Sequence, residues 1–292
     1  RGLILEADGS LIVENITSHK LTLIPEKTQN FDIVIEDIVK KLDISEIDLS
    51  NFQKSLKNRS YKYQPITLAR SLTDEQVALY SSNKENWPSI NLKADLVRNV
   101  IDGPLFSHVI GYLGEVTLEN NNASDFFQYK TDSLVGKAGI EKVYEKSLRG
   151  SKGYRTIEVY VHGAPVRVLE VDPPLKAEDI TLSLDGSLQR VARESMLGKS
   201  GAVIAMDPRT GLIKALVSFP DYDPAIFNKR KINLLKQIIK DKKSPLFNRA
   251  VSGNYPPAST IKPFLGIYGL NKKAINWKTE INDEGTFQVN EG

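Results

Sequence analysis

The chain has 292 residues, 40% hydrophobic and 26% charged, the balance of a soluble globular protein of one large domain or two ordinary ones. A formal net charge of +3 is too small at this length to argue for nucleic acid, and no apolar run is long enough to cross a bilayer. The absence of cysteine excludes disulfides, thiol nucleophiles and Cys-ligated zinc.

In chain order, Leu3 to Leu5, Leu11 to Val13 and Leu21 to Ile24 read as short strands, with Asp8-Gly9 turning between the first two. Phe31, Val34, Ile38 and Leu42 share one helical face and predict a helix over 31–42. Thr73 followed by Gln76 is a capping-box pattern that opens another helix. Alternation in Ile90, Leu92, Ala94 and Leu96 predicts a half-buried strand. Ile140, Val143, Tyr144 and Leu148 mark an amphipathic helix that stops at Gly150. Thr156 to Val161 and Val166 to Val171 read as a hairpin around His162 to Pro165.

After Pro173-Pro174 the pattern changes. A strand is expected over Ile180 to Leu184, then a helix over Ser187 to Leu197 with Leu188, Val191, Ala192 and Ser195 on one face. Ala202 to Met206 and Leu212 to Val217 are nearly continuous apolar runs joined by Asp207-Pro208-Arg209-Thr210-Gly211, a tight turn. Strands of this kind, expected to be buried on both faces, predict an α/β domain whose sheet begins here.

Four features bear on chemistry. Gly198-Lys199-Ser200 echoes the end of a P-loop, but Arg193 stands where the motif needs glycine, so a helix C-terminus is the better reading. His19, His108 and His162 show no spacing that would converge on a triad or a zinc site, and structural roles are expected. The basic run from Lys229 to Arg249 carries Ile232, Leu235, Ile238 and Ile239 at helical spacing. A solvated helix face is preferred there over attraction to anionic lipid headgroups.

The fourth feature is YPPASTIKP, Tyr255 to Pro263. Ser259 and Lys262 are three residues apart, hence on one face of a helix. Pro256 and Pro257 fix the approach, and Pro263 is tolerated in a first turn that lacks intrahelical N–H partners. A serine nucleophile needs a base beside it, and burial with the positive end of a helix dipole favours the unprotonated lysine. The same helix start offers backbone N–H groups to a developing oxyanion. A bare Ser-x-x-Lys is weak evidence by itself, because serine is also a common helix cap.

YPPASTIKP resembles the nucleophile motif of the elongation-type class B penicillin-binding proteins, the penicillin-binding protein 2 branch. LFNRAVSGNYPP from Leu246, GAVIAMDPRTGLIKALVSFPDYDPAIFN from Gly201, GKAGIEKVYEKSLRGSKG from Gly136, HVIGYLGEV from His108 and the opening RGLILEADGSLIVEN resemble the same family in the same order. Ala258 stands where relatives usually have glycine, and Ile261 where they often have phenylalanine. The resemblance implies an α+β pedestal (dimerisation-like) domain over 1–175, then the start of an α/β serine penicillin-recognising transpeptidase domain over 176–292. It implies Ser259 as nucleophile and Lys262 as its base, acting on D-Ala-D-Ala stem peptides and acylated by β-lactams.

The family's Ser-x-Asn and Lys-Thr-Gly motifs are expected beyond Gly292. Ser252-Gly253-Asn254 lies on the wrong side of Ser259, and Lys278-Thr279 is followed by Glu280. No cofactor is implied. Some relatives bind zinc after the nucleophile helix, but Asp283 is the one candidate ligand, so no metal is assigned. Expected partners are a glycan polymerase of the SEDS type and cell-shape scaffold proteins, met through the pedestal. The start on Arg1-Gly2 leads to the expectation of a preceding anchor in the bacterial inner membrane, with the bulk in the periplasm. A septal-type transpeptidase and a non-catalytic scaffold are the alternative readings.

Overall fold

In a computed structural model, the structure describes residues 1–58, 63, 65–115, 134–151, 153–161, 165–228, 232–280, 282 and 285. It divides into two compact units, Arg1–Ser252 and Gly253–Gly292.

In the first unit, β1 (Ile4–Leu5) turns through Asp8-Gly9 into β2 (Leu11–Leu23). Gly9 has a φ of 90°, and the Ser10 N–H donates to Asp8 Oδ1 at 2.8 Å. The two short strands expected within 11–24 are therefore one strand of 13 residues. Its middle, Glu14 to Lys20, is polar apart from an exposed Ile16, which hides the strand from a hydrophobicity pattern; what holds it is β-pairing to β4 from Val13↔Val100 to Leu23↔Ile90.

Next come α1 (Phe31–Leu42), α2 (Glu46–Lys57), β3 (Ile66–Ala69), α3 (Asp74–Ser82) and β4 (Ile90–Val100). Helix α1 has the expected bounds and buries Ile38 and Leu42. The capping box at α3 is present, with Gln76 N donating to Thr73 Oγ1 at 3.2 Å and Thr73 N to Gln76 Oε1 at 3.0 Å. These elements close a first core around Leu21, Leu23, Ile38, Phe52, Leu68 and Trp87. Its polar atoms are paired: Tyr80 donates to Ile90 O at 2.6 Å and Trp87 Nε1 to Asp37 Oδ2 at 2.9 Å.

A second core joins Ile4, Ile12, Phe106, Ile110, Leu148 and Leu184. It is enclosed by α4 (Gly103–Ile110), β5 (Leu113–Glu115), β6 (Leu134–Gly136), α5 (Gly139–Val143) and α6 (Glu145–Arg149). The single helix expected over 140–148 is thus two five-residue helices broken at Tyr144, leaving Val143 exposed. The break accompanies a buried ion cluster: Glu141, 1% exposed, accepts from Arg98 Nε at 2.7 Å and Arg1 Nη2 at 2.8 Å. Arg1 also reaches Glu145 Oε2 at 2.7 Å. Gly150 ends the second helix with a φ of 68°, as expected.

The hairpin is β7 (Tyr154–Val159) with β8 (Pro165–Asp172), exposed along both strands; residues 162–164, with His162, lie outside the described residues. The strand expected over 180–184 is β9 (Ile180–Thr181), paired parallel to β1. Among the described residues the main sheet runs β3-β2-β1-β9, with β4 on β2.

Helix α7 (Gly186–Glu194) is capped by Asp185, which accepts from Leu188 N at 3.0 Å. Its buried face is Gln189 and Ala192, whereas Leu188 and Val191 are exposed. That overturns the expected apolar face, because Gln189 donates to Leu105 O and Leu216 O and accepts from Leu216 N at 2.7 Å. A glutamine is buried where it satisfies backbone groups of two elements.

Strands β10 (Gly201–Met206) and β11 (Ile213–Phe219) form an antiparallel hairpin through the expected turn, where Gly211 has a φ of 74°. They are not buried on both faces: Ala215 and Val217 pack on Ala192, while Ile204 and Met206 are exposed. Helices α8 (Ala225–Asn228), α9 (Ile232–Lys240) and α10 (Arg249–Ser252) complete the unit. No helix among the described residues is long and apolar enough to cross a membrane.

The second unit is a 3-10 turn, Ala258–Ile261, running into α11 (Lys262–Asn271) and a loop to 280. Helix α11 is apolar and exposed, with Phe264 at 70% and Tyr268 at 62%.

Candidate active site

The Ser259 segment is built by its backbone. Pro257 adopts a helical φ of −68°, and Ala258 then takes a left-handed φ of 47°. That reversal starts the 3-10 turn, which closes when Lys262 N donates to Ser259 O and Thr260 N to Pro257 O at 3.2 Å. Thr260 Oγ1 also donates to Pro257 O, pinning the turn from a second atom. The expected α-helical relation of Ser259 and Lys262 is replaced by a 3-10 one. The conclusion survives, because in a 3-10 turn residues i and i+3 eclipse one another.

Lys262 opens α11 and Pro263 sits at its second position, where the missing N–H loses no bond. Both Ser259 and Lys262 are solvent-exposed, and among the described residues neither side chain has a hydrogen bond or ion pair. The burial invoked for Lys262 is therefore not supplied by the described residues. What the turn offers is an accessible hydroxyl and an amine on one side of a helix start.

Other sequence candidates separate from this pair. Gly198, with a φ of 77°, follows the end of α7, and Lys199 Nζ donates to Ser195 O at 2.9 Å, as a helix C-terminus should. His19 faces Ala94 across the β2–β4 ladder. Among the described residues no His, Asp and Glu cluster could hold a metal, and Asp283 lies outside them. Ser252 ends α10, and Thr279 Oγ1 accepts from Asn276 N at 2.8 Å in a local turn. In the basic run, Arg249 binds the carbonyls of Lys243 at 2.5 Å and Ser244 at 3.1 Å, so this cation staples a loop.

Sequence reasoning missed the part played by His108. Its Nε2 lies 2.8 Å from Pro245 O, Tyr222 packs edge-on at 5.1 Å, and Asn248 Nδ2 donates to His108 O at 3.2 Å. Burial lowers its pKa, and the ring nitrogen at Pro245 must be the donor. Helix α4 is thereby fixed to the stretch preceding α10. The Arg1–Glu141–Arg98 cluster was equally unforeseen; a glutamate between apolar Ile140 and Val143 was its one signal.

Comparison with known proteins matches 1–182 to a penicillin-binding protein dimerisation domain and 201–291 to a penicillin-binding protein transpeptidase domain. The peptidoglycan D,D-transpeptidase MrdA of Acinetobacter baumannii is 36% identical, over 99% of this chain and 43% of its own. MrdA of Escherichia coli K12 is 33% identical, over 99% of this chain and 46% of its own. The chain thus spans less than half the length of these relatives. Among solved structures, the complex of penicillin-binding protein PBP2 with MreC from Helicobacter pylori aligns with a TM-score of 0.83 and 28% identity. That alignment covers 100% of this chain and 55% of the other. With a dimerisation-domain match over most of its length and a transpeptidase-domain match after it, the chain belongs to the penicillin-binding proteins.

Proposed function

We propose that the protein is a peptidoglycan D,D-transpeptidase of the elongation type, with Ser259 as nucleophile and Lys262 as general base. One observation carries the reading: a serine and a lysine three apart, set by a 3-10 turn at the start of a helix, inside the transpeptidase match. Ser259 Oγ attacks the carbonyl between two D-alanines, Lys262 takes its proton, and the terminal D-alanine leaves as an amine. The acyl group then passes to an amine of a neighbouring stem peptide, or to water. A β-lactam carbonyl is attacked in the same way, but its amine stays tethered and the acyl-enzyme persists.

Residues 1–175 are proposed as the non-catalytic pedestal and 176–292 as the first part of the transpeptidase domain; the Pro173-Pro174 break supports a division near this point, whereas the pairing of β9 with β1 and a dimerisation match to 182 favour one just after β9. A cell-shape scaffold protein is the proposed partner of the pedestal, supported by the likeness to the PBP2–MreC complex. A SEDS-type polymerase as second partner, and a place in the inner membrane with the bulk in the periplasm, are proposed from the resemblance to the elongation-type penicillin-binding proteins.

The test is covalent labelling of the longest natural form of the protein by a fluorescent penicillin. Ser259→Ala should abolish labelling. Lys262→Ala should slow it by about 10²- to 10⁴-fold, the usual loss with a general base. Labelling that survives in Ser259→Ala would overturn the assignment.

A further inference from the structure

A sizeable concavity lies in the unit that does not contain Ser259. It is a cleft of about 550 Å³ at the base of the β7–β8 hairpin. One wall is α6 and its exit, with Lys146, Arg149 and Ser151; the other is the segment after β8, with Lys176 and Glu178; Tyr154 also lines it.

These walls are held together by backbone. Leu175 N donates to Ser151 O at 3.1 Å, Ser151 N to Leu175 O at 3.3 Å, and Glu178 N to Ser147 O at 3.1 Å. Gly150 allows the approach: a Cβ there would lie 2.6 Å from Leu175 O, and its φ of 68° also favours glycine. Leu148, fully buried, anchors the helix that carries Lys146 and Arg149. Backbone hydrogen bonds thus join its two walls, and its volume lies in the range of small-ligand sites.

Its chemistry is cationic. Lys146 and Arg149 lie three apart in α6, and Lys176 faces them from a segment far away in sequence; Glu178 is the one acid of the lining. Among the described residues neither Lys146 nor Lys176 has an ion-pair partner. Cations converging on a concavity favour a carboxylate or phosphate. A hydroxyl and an exposed tyrosine ring beside them suit a ligand with both polar edges and flat faces, as a sugar has.

We propose that this cleft binds the carboxylate-bearing saccharide–peptide chain, as a second contact separate from Ser259. The choice of saccharide rests on the transpeptidase reading; the preference for an anion rests on the cleft alone.

The test uses full-length Ser259→Ala protein and calorimetric titration with a soluble disaccharide pentapeptide. Saturable binding is expected, falling at least about tenfold in Lys146→Glu/Lys176→Glu as two charge-assisted contacts are lost. Lys146→Arg/Lys176→Arg should retain it. Thermal melting checks that each variant is folded, and Lys146→Gln/Lys176→Gln replaces the charge reversal if that variant does not fold. Neutral chitotetraose, inorganic phosphate and phosphatidylglycerol vesicles form the comparison arms and should bind at least tenfold more weakly. Absence of saccharide binding, binding indifferent to the lysines, or equal binding of phosphate or vesicles would overturn the proposal. Penicillin labelling of the wild-type protein reads the transpeptidase assignment separately, so failure of one can be told from failure of the other.

Discussion

Ala258 occupies a backbone position that suits glycine. A left-handed φ of 47° crowds its Cβ against the neighbouring carbonyl, at a cost of about 1–2 kcal/mol for residues other than glycine. Ala258→Gly should therefore be tolerated and should stabilise the protein by up to about 1 kcal/mol, measured by urea unfolding. Ala258→Val, with a branched Cβ in the same place, should lose stability; equal stabilities for the two would argue against the left-handed turn. This is also where sequence and structure meet most closely. The proposed pair Ser259 and Lys262 rests on its spacing and surrounding motifs, and the departure at Ala258 was visible as a letter. Its meaning was not, because a dihedral angle is set by the turn as a whole. Glu141 is the opposite case. An acid in a short apolar helix looks like a surface residue, yet it lies buried between Arg98 and Arg1. Glu141→Gln should cost about 3–5 kcal/mol in chemical unfolding, because two buried guanidinium groups lose their shared carboxylate. A change below 1 kcal/mol would mean that the cluster is solvated.

Among elements, α4 links the two parts of the first unit through His108. Burial holds its folded pKa below the ordinary value of about 6.5, with Asp221 favouring and Arg249 opposing the proton. The unfolded chain then binds more protons than the folded one as pH falls through 6.5. The associated stability is complete above that pH and is lost below it, by at most about 1.4 kcal/mol per pH unit. The melting temperature should drop between pH 7.5 and 5.5, and the drop should shrink in His108→Gln, whose amide can still donate to Pro245 O. An unchanged drop in that variant would assign the effect to other groups. The element whose periodicity matches burial, α1, was legible in both bounds, and the start of α3 was legible from its capping box. Elements stabilised by partners distant in sequence were not. Strand β2 is held by β4 across its polar middle, α7 turns a glutamine inward to serve two backbones, and the 139–149 helix breaks around a buried ion cluster.

At the scale of the whole molecule, β9 makes the first unit continuous. Ile180–Thr181 lies parallel to β1, Ala7 N donates to Leu184 O at 3.0 Å, and Leu184 is buried in the second core. A fragment of residues 1–175 leaves β1 without that neighbour and opens the core at Leu184. Extending it to 185 should raise the melting temperature and sharpen the transition; identical melts would show that β9 adds nothing. The apolar face of α11 and one side of the hairpin β10–β11 are exposed, and apolar surface of this kind marks places where other protein packs. The central claim is that this architecture carries a serine acyl-transfer site at the 3-10 turn. Its most direct measurement is mass spectrometry of the longest natural form after reaction with an excess of unlabelled penicillin. A single adduct of one β-lactam mass is expected, on the peptide containing Ser259. An adduct elsewhere, or none while penicillin is intact and in excess, would contradict it.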